Sequence, residues 1–474
     1  MKTVSDQEAT APDTPEEGHV NKVARRRVLA VCLIASLAGL MCGLDIGVIS
    51  GVLKPFGTQF HVSTGLLEWV VGGMLVGATI GALTGGTLCN HLGRKYTLTI
   101  AAFLFAVGAF GSAASWSVAS MIACRVLVGL GMGLSDFTTP QYLSEIARKE
   151  QRGAMVSTYQ LLKTIGIFLA FFSNSWLSPS GAWRTMLIVE AIPAVLFLGA
   201  FLFLPQSPRW LVMRGHWEHA FEVMTNLRDT SSSAQRELEA IDEQLQTKQE
   251  GWKLLRRNSN FRRSVGLGML LQIMQQFAGI NIIMYYAPRI LEAAHFDLTA
   301  QMWCTALIGL VNVLMTFVAI GYSDRWGRKP ILYMGYASMA LSMAILAVIL
   351  YVGPSSLALQ LSALALIIVF VGGFAMSAGP LMWVICSEIQ PNAGRNLGIS
   401  ISTGTNMLSN LFIGTTFLTM LEGLGSSNTF WVFASFNALA IILIYLFVPE
   451  TKDVSLETIE KRLMSGVKLR QLGK

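Results

Sequence analysis

Four amide side chains lie close together in one apolar stretch, and their chemistry suits an uncharged polar ligand. The stretch ends at Pro288 and carries Gln272, Gln275, Gln276 and Asn281. An amide in hydrocarbon is costly unless it is hydrogen-bonded, so each one needs a partner, water or a ligand. Amides both donate and accept hydrogen bonds, which fits a neutral polyhydroxy ligand better than an ion. The alternative interpretation is that they only hold neighbouring helices together.

A straight helix would not let these amides face one ligand, so the stretch predicts a broken helix. Gln276 and Asn281 are five residues apart, about 140° around a helix axis. Gly279 lies between them and Pro288 follows. A break near Gly279 would turn Asn281 and Tyr285 toward the glutamines. Broken helices of this kind line substrate cavities in transporters.

A second pair of polar residues points to ion or proton chemistry. Asp45 is a carboxylate inside an apolar span, and such groups mark ion or proton pathways. Arg125 is the one arginine in the middle of a span, so it must face the interior and find a partner. We expect the two to pair and Asp45 to load and release protons. A purely structural ion pair is the alternative.

The elements that position these residues are membrane-spanning helices. The chain has 474 residues, of which 53% are hydrophobic and 13% are charged, a composition that excludes an ordinary soluble protein. The sequence predicts twelve apolar spans, with cores at 28–53, 65–89, 96–115, 118–143, 153–175, 183–204, 265–291, 300–322, 330–352, 358–386, 395–421 and 428–448.

Lysine and arginine are distributed unevenly between the two sides of these spans. The connections after odd-numbered spans hold only Lys54, Arg184 and Arg289, while the tails and the other connections hold 30 of the 35 basic residues. The positive-inside rule then places both termini in the cytoplasm. The net charge of +7 is therefore a topology signal and not a sign of nucleic-acid binding.

Two motifs recur in the second half of the chain, which predicts two similar six-helix bundles. The repeated residues lie at cytoplasmic ends of spans and are Gly93, Arg94, Glu145 and Arg152 in the first half and Gly327, Arg328, Glu388 and Arg395 in the second. We interpret these charged residues as a latch that closes the cytoplasmic side in one state; the alternative is a topology anchor.

The predicted fold class is thus an all-α membrane protein of two pseudo-symmetric six-helix bundles, with short cytoplasmic helices between them. Helical periodicity places those short helices at 216–227 and 234–245. The predicted units are an N-terminal tail, a bundle, a linker, a second bundle and a C-terminal tail, at 1–27, 28–204, 205–264, 265–448 and 449–474.

Further amides and aromatic residues in the spans extend the candidate site. Aromatic faces stack on the apolar face of a sugar while amides bond its hydroxyls. The additional candidates are Gln160, Asn312, Phe374, Gly379, Trp383 and Asn406. Gly379 and Pro380 also predict a break in a second span. Lys163 either pairs with a carboxylate or is functional, and the sequence does not decide between them.

Together these motifs resemble the sugar porters of the major facilitator superfamily, from about residue 28 to 465, and among them bacterial galactose–proton and arabinose–proton symporters. The resemblance rests on the two Gly-Arg-Lys motifs, the Glu…Arg pairs, Pro205-x-Ser-Pro-Arg209, Gln275-Gln276…Asn281…Tyr285-Tyr286 and Pro449-Glu-Thr-Lys452. It implies a proton-accepting role for Asp45 with Arg125 as its partner. It also implies that a hexose or pentose contacts Gln160, Gln275, Gln276, Asn281, Gly379, Trp383 and Asn406.

Three positions depart from the family pattern. Met407 stands where a tryptophan is common, Gln206 replaces a common glutamate, and Asn90 replaces a common aspartate. The first bears on which sugar is bound, and the other two bear on the strength of the cytoplasmic latch.

We therefore expect a proton-coupled monosaccharide symporter of the bacterial inner membrane that works as a monomer among lipids, with no metal and no other cofactor. A uniporter without proton coupling is the main alternative. A sugar sensor would carry a long signalling tail, whereas only about 25 residues follow Pro449. A membrane enzyme is ranked last because P-loop, HExxH and GxSxG motifs are absent.

Overall fold

The computed structural model describes residues 22–148, 151–246, 251–391, 393–452 and 454–473. In these ranges the chain forms α-helices and short 3₁₀ turns, and no strand. Twelve helical segments are long and apolar enough to cross a membrane, which confirms the predicted all-α membrane fold. Most of the predicted N-terminal tail, residues 1–21, lies outside the described residues.

Each half of the chain contributes six spans. In the N-terminal half every span is one helix: α1 Lys22–Phe60, α2 Thr64–Leu92, α3 Arg94–Ala113, α4 Val118–Ile146, α5 Arg152–Leu177 and α6 Trp183–Leu202. In the C-terminal half three spans are divided: α11 Ser259–Phe277 with α12 Ile280–Ala293, α13 Leu298–Trp326, α14 Arg328–Val352, α15 Leu357–Met376 with α16 Ala378–Glu388, α17 Arg395–Gly414 with α18 Phe417–Leu424, and α19 Ser426–Phe447.

Four short helices join the halves and confirm the predicted helical linker. They are α7 Pro208–Met213, α8 Trp217–Leu227, α9 Ser231–Gln246 and α10 Gly251–Arg257. The apolar face of α8 packs on α1, and α10 packs on α11 and α17. A last helix, α20 Leu456–Met464, follows the spans. We call the face of the bundle that carries α7–α10 the linker side, and the other face the opposite side.

Glycines let the helices of the N-terminal half approach closely where the charged residues lie. A Cβ at Gly43 would lie 2.0 Å from the Lys163 carbonyl oxygen on α5, and one at Gly129 would lie 1.9 Å from the Met74 carbonyl oxygen on α2. Only glycine allows such contact between backbones. These two crossings fix α1 and α4 next to their neighbours. The first lies about half a turn from Asp45, and the second lies about one turn from Arg125.

Both predicted helix breaks are present. Gly279 has φ +100°, a conformation that only glycine adopts readily, and it separates α11 from α12. The second break falls at Ser377, two residues before Gly379. Pro380 explains this position, because its ring would clash with the carbonyl of residue 376, where α15 ends.

Among the described residues, four pairs joined by hydrogen bonds or charge connect the halves on the opposite side. Thr419 donates to the buried Glu68 carboxylate from its backbone N–H at 2.8 Å and from its hydroxyl at 2.6 Å. Lys54 Nζ lies 2.7 Å from Glu292 Oε1, and the Ser175 hydroxyl donates to the Met302 carbonyl oxygen at 2.8 Å. The fourth pair is Thr64 with Glu422.

Candidate functional site

Asp45 and Arg125 form an ion pair inside the N-terminal half. α1 supplies Asp45, α4 supplies Arg125, and both side chains are fully buried. Arg125 Nη2 donates to Asp45 Oδ2 at 3.1 Å, and Nη1 donates to Oδ1. A bidentate guanidinium–carboxylate pair is the arrangement that best satisfies two buried charges. The structure thus brings together the two charges that were predicted as partners.

Glu190 on α6 is a third charged group at this site, and sequence reasoning missed it. Glu190 is 1% exposed, and no N–H or O–H group of the described residues donates to either of its carboxylate oxygens. It interacts electrostatically with both Asp45 and Arg125. Two carboxylates and one guanidinium are electrically neutral only when one carboxyl group carries a proton. Because burial disfavours net charge, this cluster is suited to hold one proton.

The amide side chains of the C-terminal half form one connected network across the helix break. Asn406 on α17 donates to Gln272 Oε1 at 2.7 Å and to Gln275 Oε1 at 2.8 Å. It accepts from Gln276 Nε2 at 3.0 Å, and Asn281 donates to Gln276 Oε1 at 2.6 Å. The break therefore turns Asn281 toward the glutamines of α11, as predicted, whereas the hydrogen bond found for Tyr285 is with Asn410.

Three further candidates are Gly379, which is bonded to this network, Phe374, which lies beside Gly379, and Tyr285, which is bonded to another residue. Gln275 Nε2 donates to the Gly379 carbonyl oxygen at 3.0 Å, which joins the break in span seven to the break in span ten. A Cβ at Gly379 would lie 3.3 Å from the Phe374 ring. Tyr285 accepts a hydrogen bond from Asn410 at 3.3 Å, and Asn410 is a polar residue that sequence reasoning did not select.

The remaining candidates lie apart from the network. Asn312 on α13 is buried and Trp383 on α16 is 38% exposed. No described hydrogen bond joins either of them to the amides. Gln160 is exposed on α5, about three turns from Phe171 on the same face. Phe171 contacts Gly309 of the C-terminal half, so Gln160 lies on the face that looks toward that half, nearer the linker side.

Lys163 has a carboxylate partner, which resolves the question that its sequence left open. Its Nζ lies 3.0 and 3.1 Å from the two carboxylate oxygens of Asp136 on α4. Tyr159 also donates to Asp136. The Lys163 and Asp136 side chains are only 18% and 10% exposed.

We expect the Lys163→Met variant to unfold at a clearly lower temperature than the wild type, because it leaves the Asp136 charge buried without a cation. The loss of one partner of a buried pair costs about 3–5 kcal/mol. Adding Asp136→Asn should restore most of the lost stability. The unfolding temperature is measured as the midpoint of the heat-dependent loss of the monodisperse peak in size-exclusion chromatography. Equal midpoints for Lys163→Met and the double variant would contradict the prediction.

The residues predicted as a latch pair within each half. Arg94 Nη2 lies 2.8 Å from Glu145 Oε1, and Arg328 Nη2 lies 3.2 Å from Glu388 Oε1. Gly93 and Gly327 both have positive φ, at +85° and +86°, and start the helices that carry these arginines. In this state neither ion pair crosses between the halves, so the latch stays a prediction for a state closed on the linker side.

The two other arginines of the repeat bind elsewhere. Arg152 lies 3.5 Å from Glu237 of linker helix α9, and Arg395 donates to the Gln390 carbonyl oxygen at 3.4 Å. They therefore do not contact Glu145 and Glu388 in this structure. Gln206, at a departure from the family pattern, donates to the Leu92 carbonyl oxygen at 3.3 Å.

Comparison with known proteins identifies the family. The family model "Sugar (and other) transporter" matches residues 31–463. The chain is 52% identical over 463 residues to the galactose-proton symporter of Escherichia coli (strain K12), covering 98% of this chain and 99% of that protein. It is 46% identical over 477 residues to the arabinose-proton symporter of the same strain, covering 100% of both.

Solved structures agree with this assignment. The xylose transporter XylE from E. coli, in a partially occluded inward open conformation, matches with a TM-score of 0.80 at 30% identity, over 90% of this chain and 99% of that one. XylE bound to 6-bromo-6-deoxy-D-glucose matches with a TM-score of 0.77 at 30% identity, over 95% and 99%. These matched proteins are described as transporters. This multi-pass membrane protein belongs to the sugar transporter family of the major facilitator superfamily.

Proposed function

We propose that this protein is a proton-coupled symporter that imports a neutral hexose or pentose by alternating access. The observation that carries the proposal is the proximity of the amide-lined break to the buried charges. Tyr285 lies on α12, which begins directly after the break at Gly279, and α12 packs against α1, the helix that carries Asp45. A ligand at the break and a proton at the charges therefore act on one interface. The names of the galactose–proton and arabinose–proton relatives support sugar and proton as the two substrates.

The sugar lies between the halves in this proposal, at the level of the two broken helices. Amide groups hydrogen-bond the sugar hydroxyls, and aromatic faces pack on its apolar side. Galactose, arabinose, glucose and xylose are the candidate sugars. The residues assigned to sugar binding are Gln160, Gln275, Gln276, Asn281, Tyr285, Asn312, Phe374, Gly379, Trp383 and Asn406.

The proton step follows from the charge balance of the buried cluster. A proton on Asp45 removes the negative charge that holds the Arg125 guanidinium in the bidentate pair. Glu190 keeps a negative charge beside the guanidinium. The contact between α1 and α4 weakens and the cluster becomes neutral, so the sugar-loaded carrier turns inward. Loss of the proton on the inner side restores the bidentate pair. Coupling requires only that the sugar-loaded carrier turns poorly without a proton.

In this proposal the linker side and both termini of the chain face the cytoplasm. The membrane is a bacterial inner membrane. The distribution of lysine and arginine supports this orientation. The unit boundaries at 28–204, 205–264 and 265–448 and the monomeric state belong to the same proposal.

The four pairs that join the halves on the opposite side support an inward-facing state for this structure. The carrier must open on the opposite side to receive sugar from outside.

A competition panel tests the proposed function. Cells that express the protein take up one radiolabelled monosaccharide in the presence of unlabelled hexoses, pentoses and charged sugars, with and without a protonophore. We expect neutral monosaccharides to compete and the protonophore to abolish accumulation. Accumulation that resists the protonophore would contradict proton coupling, and a protonophore-insensitive equilibration without accumulation would favour the uniporter.

Glu68 provides a test of the alternating-access part of the proposal. Its carboxylate accepts two hydrogen bonds from Thr419 across the halves and is 3% exposed. Each hydrogen bond to a charged group contributes about 1.5–3 kcal/mol. We expect Glu68→Ala to shift the population toward the state that is open on the opposite side by roughly tenfold or more.

Spin labels at the exposed positions Thr58 and Asn428 measure this shift as longer distances in double electron–electron resonance. Glu422→Gln is the matched control: it weakens the neighbouring Thr64–Glu422 contact, which is exposed to solvent, and should change the distances little. Distances in Glu68→Ala that match those of the wild type would show that Glu68 does not hold this side closed.

A further inference from the structure

A cavity of about 850 Å³ lies at the linker-side edge of the C-terminal half, and none of its lining residues belongs to the candidate sugar or proton sites. It is bounded by the first turns of α11, by the last turn of α19 and by the segment after α20. Three of its lining residues are cationic, Arg263, Lys468 and Arg470, and none of its ten lining residues is acidic. The cavity is therefore an electropositive pocket where two spans leave the membrane.

Two of the three cations, Arg263 and Arg470, are held in place by other parts of the protein. Arg263 donates to the Asn260 side chain at 3.2 Å and to the Val467 carbonyl oxygen at 3.3 Å. The guanidinium of Arg470 lies 4.1 Å above the centre of the Tyr445 ring. Asn260 also donates to the Met464 carbonyl oxygen at 3.0 Å, which ties the end of α20 to α11. A ligand would thus meet charges whose positions are already set.

The lower part of the pocket is apolar and extends into the membrane. Its lining includes Leu267 and Leu270 of α11 and Leu446 and Phe447 of α19. Leu270 lies seven residues beyond Arg263, about 10 Å deeper along the helix axis. Gly266 lies between them, and a Cβ there would have no atom within 4 Å, so the groove is open at that position.

We propose that this pocket binds one anionic phospholipid, with its phosphate among Arg263, Lys468 and Arg470 and an acyl chain along the groove past Gly266. The combination of a cationic mouth with an apolar floor at membrane depth favours a lipid over a free phosphate, which would use only the mouth. Basic pockets between spans recognise anionic headgroups in this way. Because α11 carries Gln272, Gln275 and Gln276, the lipid braces the helix that holds the amide network.

Native mass spectrometry of the purified full-length protein, titrated with phosphatidylglycerol, tests the proposal. Each basic residue near a membrane surface contributes roughly fivefold to the binding of anionic lipid, so the triple variant Arg263→Gln/Lys468→Gln/Arg470→Gln should bind about a hundredfold more weakly. The matched control Arg236→Gln/Arg256→Gln/Arg257→Gln removes three exposed charges from the same side and should bind like the wild type. Equal affinities of the two triple variants would overturn the proposal.

A second variant distinguishes a lipid site from a phosphate site, and it does so without changing the charge of the pocket. Gly266→Leu favours the helix and fills the groove, so it should weaken phosphatidylglycerol binding at least tenfold while all three cations remain. Soluble glycerol phosphate should neither displace the lipid nor raise the thermal midpoint of the wild type. Full displacement by glycerol phosphate, or unchanged lipid binding by Gly266→Leu, would refute a lipid site. Neither readout depends on transport, so failure here is distinct from failure of the proposed function.

Discussion

The Asp45→Asn variant is expected to lose sugar accumulation completely while it still exchanges sugar across the membrane. An amide resembles the protonated acid in shape and charge, so the carrier can turn with sugar bound but has no proton to release. Arg125 keeps Glu190 as a negative neighbour, so the variant should fold. Uptake of radiolabelled sugar into energised cells measures accumulation, and exchange is measured in preloaded vesicles without a gradient.

The matched control for this result is the double variant Asp136→Asn/Lys163→Met. It also removes a largely buried carboxylate and its cation from the N-terminal half, but it leaves Asp45, Arg125 and Glu190 in place. We expect it to accumulate sugar. If Asp45→Asn still concentrates sugar, or if the control loses accumulation to the same extent, Asp45 is not the proton-coupling group.

The second large effect is expected for Asn406→Ala, which removes the centre of the amide network. Asn406 bonds to three glutamines, and its loss leaves buried amide groups without partners. Each unsatisfied buried polar group costs about 1–3 kcal/mol, and the sugar loses an amide contact as well. Sugar affinity should therefore fall by about a hundredfold. Equilibrium binding of the best competitor from the uptake panel measures it.

Asn396→Ala is the control for this prediction. Asn396 lies on the same helix, α17, but is exposed near its linker-side end. It should bind sugar like the wild type. Wild-type affinity in a folded Asn406→Ala protein would mean that the amides join helices and do not recognise sugar, which is the alternative that the sequence left open.

Much of this arrangement followed from local rules. Gly279 between two groups of amides predicted the break, because a straight helix could not satisfy both groups. A lone aspartate and a lone mid-span arginine predicted their ion pair, because neither charge is tolerated alone in an apolar bundle. Pro380 predicted a second break, although the break falls three residues earlier, at Ser377.

What the sequence could not supply is the rotation of each helix about its own axis. Glu190 and Asp136 satisfy the rule that selected Asp45, since both are carboxylates in apolar spans, but the charged groups near them lie on other helices and only the fold brings them together. Lys163 was noticed, but its partner Asp136 is 27 residues away in sequence. Glu68 meets Thr419 only because the two halves fold against each other.

The repeated Glu…Arg motif shows the same limit. The sequence positions of Glu145 and Arg152 recur faithfully in the second half, which predicted two related bundles. The chain turns between the two residues, however, so their spacing does not fix the direction of the arginine. Arg152 instead binds Glu237 of the linker.

The measurement that tests the central claim most directly is proton movement driven by sugar alone. Purified protein is reconstituted into weakly buffered vesicles without a pH gradient or membrane potential, and a competing sugar from the panel is added outside. The account predicts that the outside medium becomes alkaline as sugar enters with wild-type protein, and that no such change occurs with Asp45→Asn. Sugar entry without alkalinisation in the wild type would contradict it.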